Sequence, residues 1–167
     1  AGFMAFARSL YDSTLYHLIK DAERVSEFTF YRFPTSIQRH YERLTTFPEG
    51  FMVLGDAISS FNPIYGQGMS SAALQVQELQ KLLRERITAA QGLEGLAYSV
   101  FPKAAEIIDT PWTLAAHQDL AFAQTQGERP PDLEEQTQYF MDVDALTAED
   151  HEVYRLLFEV FHLAKPL

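Results

Sequence analysis

The stretch VLGDAISSFNPIYGQGMSSAALQVQELQKLL, residues 53–83, moves from an apolar run through Gly-Asp and a Pro- and Gly-bearing turn into a long amphipathic segment. Residues 51–54 (Phe-Met-Val-Leu) are continuously apolar and are entered by Pro48-Glu49-Gly50. That pattern predicts a strand covered on both faces. The spacing then predicts a helix over 68–90, with Ala72, Val76, Leu79, Leu83 and Ile87 on its inner stripe. Gln75, Gln80, Lys81, Arg84 and Glu85 lie off that stripe. The first amides of a helix lack internal partners and carry about half a positive charge. Gly66 and Gly68 would let that backbone approach a ligand closely, and Pro63 stiffens the approach. Asp56 leaves the C-terminal end of the expected strand, where open α/β sheets place their ligands. Its carboxylate could accept two hydroxyl hydrogen bonds. The pattern therefore suits a ligand with a polyol chain on one side and a negatively polarised group on the other. The plainer reading is a tight strand-to-helix turn in which Asp56 caps its own backbone.

The chain has 167 residues, enough for a sizeable core, and 47% of them are hydrophobic. Its formal net charge of -10 disfavours nucleic acid and anionic membrane as partners. There is no cysteine, which excludes disulfides, zinc-thiolate sites and thiol nucleophiles and fits a reducing, cytoplasmic compartment. No apolar stretch approaches the ~20 residues needed to span a bilayer, and no secretory signal is visible. Ala1 already reads as the middle of a structure, and the closing HLAKPL stops abruptly. Both ends suggest a piece of a longer chain.

Outward from the central stretch, residues 3–10 read as an apolar helical stub. Residues 13–22 read as a short helix capped by Ser13, with Leu15, Leu18 and Ile19 on one face. Residues 26–33 alternate and predict a strand. Its Phe28, Phe30 and Tyr31 would form core or line a substrate pocket. Residues 36–44 are left between a helical turn and an irregular crossing. After Gly92 a helix carries Ala97, Phe101, Ala104, Ala105 and Ile108 on one face, with Pro102 as a kink or start. Thr110-Pro111 is expected to restart a helix with Trp112, Ala116, Leu120 and Ala123 on its stripe. Residues 125–132 form a loop, and 133–146 a further helix. A last helix would be capped by Thr147 and would bury Val153, Leu156, Leu157, Val160 and Phe161. The five histidines show no metal-ligand spacing. Ser70 and Ser71 do not meet the nucleophile-elbow pattern. The acids of Glu134-Glu135 and Glu149-Asp150 fit helix starts.

Gly55-Asp56-Ala57, followed by Pro63, Gly66-Gln67-Gly68-Met69 and a helix, resembles the second flavin-contact motif of FAD-dependent monooxygenases of the aromatic-hydroxylase type. The flanks YERL and HQDLAFAQTQGERPP are similar to a bacterial subgroup of that family. The resemblance implies that Gly55 and Asp56 bring a carboxylate to the ribityl hydroxyls. It places Pro63 beside the isoalloxazine ring. Backbone at Gly66, Gln67, Gly68 and Met69 would stabilise negative charge at flavin N1 and O2. Many members have His at the position of Ile58, and no role is assigned to it here.

The family's N-terminal G-x-G-x-x-G, which holds the FAD pyrophosphate, is absent, as is its middle Asp-Gly motif. The expected fold is therefore mainly α with a minor β component (α+β), the helical C-terminal region of a flavoprotein monooxygenase with a few strands left from an incomplete sheet. Residues 1–50 would be a remnant of a substrate-domain or crossover segment, 51–90 the strand-turn-helix flavin contact, and 91–167 a C-terminal helical region, together one compact unit. The implied activity of the complete protein is NAD(P)H- and O2-dependent hydroxylation of a small organic substrate. FAD would be bound jointly with a missing N-terminal half, and no side-chain acid or base is identified as catalytic. The alternative is a non-enzymatic helical domain that self-associates or binds a partner through the uncovered face.

Overall fold

A computed structural model describes residues 2–165. Ala1, Pro166 and Leu167, on which part of the reading of the two ends rests, lie outside the described residues. The chain is mainly α-helical with a minor β component. It divides into two compact units, Ala1–Arg32 and Phe33–Leu167, so the boundary falls inside the segment 1–50.

In the first unit, α1 spans Gly2–Ser9 and α2 spans Thr14–Ile19. Ser13 precedes α2, but its side chain makes no capping bond. Asp12 does that work instead, accepting from the Thr14 N–H at 2.8 Å and the Thr14 hydroxyl at 2.6 Å. These bonds hold the Asp12 carboxyl below the usual carboxylate range, with the hydroxyl bond the larger cause. Phe3 packs on Phe28 with ring centroids 5.0 Å apart, and the Arg8 guanidinium lies 4.9 Å from the Tyr16 ring centre. The strand expected over 26–33 does not form. Alternation predisposes a segment to pair, but a strand exists only with a neighbour. Phe28, Phe30 and Tyr31 are exposed, so they form neither a core face nor a pocket wall.

In the second unit, β1 (Ile37–Gln38) pairs antiparallel with β2 (Ser59–Ser60), matching Ile37 to Ser60 and Gln38 to Ser59. This ladder overturns the strand expected over 51–54. Leu54 keeps an extended backbone (φ -144, ψ 164), yet residues 51–54 pair with no described residue and Phe51 is exposed. Four helices follow: α3 (Gly68–Thr88), α4 (Leu96–Leu120), α5 (Leu133–Thr147) and α6 (His151–Phe161).

The core forms around α4. Ala97, Phe101, Ala104 and Ile108 present the expected face and enclose Ile58, with Tyr41, Phe47, Met52, Val53 and Trp112 packed against them. Phe101 stacks on Tyr41 (centroids 5.3 Å) and meets Phe47 edge-on (4.8 Å). Position 58, where the flavoprotein family often carries His, is here core, 4% exposed. The restart expected at Thr110-Pro111 does not occur, because α4 runs unbroken through both Pro102 and Pro111. Each proline removes one ladder bond, and the packing of Pro111, Leu114 and Ala115 into the interior offsets that loss. Ala123 falls beyond the helix and is exposed. At the start of α4, the Glu49 carboxylate accepts from the Gly95 N–H at 3.1 Å. At its end, Arg129 donates to the carbonyls of Leu120, Phe122 and Thr125.

The inner face of α3 also differs from its apolar stripe. Ser71 and Gln75 are buried, whereas Val76 and Ile87 are exposed. The cap of α6 is Asp150, which accepts from the N–H of Glu152 (2.8 Å) and Val153 (3.2 Å). Thr147 instead closes α5, its hydroxyl donating to the Asp144 carbonyl. The stripe of α6 is only partly buried, and Leu156 is exposed. Among the described residues no helix is long and apolar enough to cross a membrane.

Candidate functional site

Gly55 opens a single 3-10 turn, Gly55–Ala57. Its φ of +59 suits glycine, and a Cβ there would sit 3.4 Å from the Ala72 Cβ of α3. The Gly55 N–H donates to Gln75 Oε1 at 2.8 Å, and Gln75 Nε2 donates to the Ser71 hydroxyl at 3.2 Å. This buried amide clips the turn onto the first coils of α3. Asp56 is thereby displayed on the turn. It is exposed, and its carboxylate accepts no hydrogen bond from a described residue, so the simple turn-capping role is not what it performs here.

A second 3-10 turn, Pro63–Tyr65, leads into α3. Asn62 caps it by accepting from the Ile64 N–H, and Gly66 leaves it with φ +72. Gln67 is 4% exposed and donates through Nε2 to the Phe161 carbonyl at 3.0 Å, tying the start of α3 to the end of α6. Its Oε1 is buried without a partner among the described residues. The N–H groups of Gln67, Gly68, Met69 and Ser70 donate to no described residue, and the first internal bond runs from Ser71 N to Gln67 O at 2.9 Å. Gly66 and Met69 are exposed, and a side chain at either Gly66 or Gly68 would enter open space. The helix end therefore presents unpaired donors and a positive dipole end, suited to a negatively polarised group.

Gly55, Asp56, Pro63, Gly66, Gln67, Gly68 and Met69 thus divide by task. Gly55 and Gln67 anchor, Pro63 and Gly66 shape the turn, and Asp56, Gly68 and Met69 are displayed.

This chain is similar to Protein Rv3254 of Mycobacterium tuberculosis (strain ATCC 25618 / H37Rv). The two are 32% identical over 127 residues, which is 76% of this chain and 26% of Protein Rv3254. The chain thus spans about a quarter of the length of the relative it matches. No known family profile matches it.

Residues outside the motif add a second feature. Asp119 Oδ1 accepts from Asn62 Nδ2 at 2.9 Å and from the Tyr65 hydroxyl at 2.7 Å. Burial, and then the bond to Asp119, push the Tyr65 phenol well above the usual tyrosine range, so it stays a donor. Beside this cluster lies a cavity of about 580 Å³ between the Asn62–Tyr65 turn and α4, α5 and α6. His117 borders it, with Nδ1 buried and unpartnered among the described residues. Sequence reading missed this group because its members are 54 to 57 residues apart and follow no local period.

Proposed function

We propose that the chain is the C-terminal part of an FAD-dependent monooxygenase, contributing the flavin-ring half of a site that an N-terminal dinucleotide-binding half completes in the cytoplasm. The observation that carries this reading is the glycine-opened start of α3. It has four unpaired amides at residues 67–70, and the free Asp56 carboxylate stands on the turn before it. That donor and acceptor set fits the group: amides for an electron-rich ring edge, a carboxylate for the hydroxyls of a ribityl chain. Bound FAD would supply the redox chemistry that lets NAD(P)H and O2 hydroxylate an organic substrate. The chain's own task is to bind and orient. The amides of Gln67, Gly68 and Met69 would hold the pyrimidine edge, and Asp56 would fix the polyol. The unpaired extended segment 51–54 would find its sheet in the missing half.

A second reading is favoured by the exposed Tyr139, Met141, Leu146, Tyr154 and Phe158 of α5 and α6. A non-enzymatic domain would cover such side chains by self-association or with a protein partner.

One experiment separates the two. The chain is co-expressed with a polypeptide supplying G-x-G-x-x-G, and the purified pair is examined for flavin absorption. A yellow complex is expected, and Asp56→Ala should weaken FAD about tenfold or more, the usual cost of losing a charged hydrogen-bond partner. Co-purification without flavin, with Asp56→Ala behaving like the unaltered protein, would leave only the second reading.

A further inference from the structure

The cavity beside Tyr65 has a chemistry of its own, independent of the flavin reading. Its volume of about 580 Å³ falls within the range of small-molecule sites. Leu114, Phe122, Phe140, Leu157 and Phe161 give it apolar walls. The ionisable groups on those walls are Asp119, Asp144, His117 and Tyr65, with no Lys or Arg among the lining residues. Asp119 is held in place by the two donors on its Oδ1, while Oδ2 has no partner among the described residues. A carboxylate oriented in this way, against apolar surroundings and without a cation, favours a ligand that brings one.

We propose that this cavity binds a small amphiphilic amine, an apolar body whose protonated nitrogen hydrogen-bonds to the Asp119 carboxylate while its hydrocarbon part lies against Phe140, Leu157 and Phe161. The two wall carboxylates reject anionic molecules of the same shape. The net charge of -10 on the whole chain adds to the discrimination.

The test uses three matched probes with the unaltered protein: phenylpropylamine, phenylpropanol and phenylpropanoate, followed by saturation-transfer NMR and calorimetry. At about pH 8 an alkylamine is protonated and a carboxylate ionised. The amine is expected to bind at least tenfold tighter than the carboxylate, with the alcohol between them. Asp119→Asn keeps an acceptor for Asn62 and Tyr65 but removes the charge. It should cost the amine about tenfold and leave the alcohol unchanged. Met141→Trp, at an exposed position on the cavity wall, should block all three by bulk and serves if the Asn variant does not fold. Equal binding of amine and carboxylate, no binding of any probe, or indifference to both substitutions overturns the proposal.

Discussion

Gln75 is a polar side chain only 2% exposed, on the face of α3 that a hydrophobic pattern assigns to solvent. It is there because the turn at Gly55 needs an acceptor for its N–H, and a helix four residues past Ser71 can supply one. Gln75→Ala should therefore destabilise by about 1–3 kcal/mol, the cost of stranding a buried donor. A urea midpoint unchanged from the unaltered protein would remove this account of the clip. Tyr65 makes the complementary case at high pH. Its phenol titrates higher folded than unfolded, so its contribution is complete below about pH 10 and is lost as pH rises through the folded value. Stability should fall on that alkaline limb, and Tyr65→Phe should flatten the fall. An equal slope in both proteins, read from denaturant midpoints across the limb, would contradict it.

At the scale of the element, the start of α6 offers the cleanest comparison. Asp150→Ala should cost about 0.5–2 kcal/mol, because Asp150 satisfies two of the first N–H groups. Thr147→Ala should cost less, since its hydroxyl bonds back within α5. Thermal melts followed by circular dichroism would rank them, and the reverse order would restore Thr147 as the cap. The helices were legible in the sequence because their period is local: a helix over 68–90, which the structure ends at Thr88, and the Ala97–Ile108 face of α4 emerge from spacing alone. The strands were not, since Phe30 and Val53 carry strand propensity but their pairing depends on chain far away. The apolar stripe of α3 misled for a related reason. Hydrogen bonding placed Ser71 and Gln75 inside, and hydrophobicity is blind to that. For the candidate site, the glycines and Asp56 could be read directly, whereas Asp119 and His117 could not, because only the crossing of α4 past the Asn62–Tyr65 turn brings them there.

At the scale of the molecule, the chain divides into two compact units between residues 32 and 33. Arg32 is exposed and followed by Phe33. Brief trypsin treatment should release a resistant fragment beginning at Phe33, identified by intact mass, because bonds in α3 and α4 lie within ladders that must open first. Early cleavage inside α3 or α4 would argue against the division. The joint has a mechanical consequence as well. The rings gathered around Phe101 all belong to the unit that begins at Phe33, so their packing does not depend on the peptide bond between residues 32 and 33.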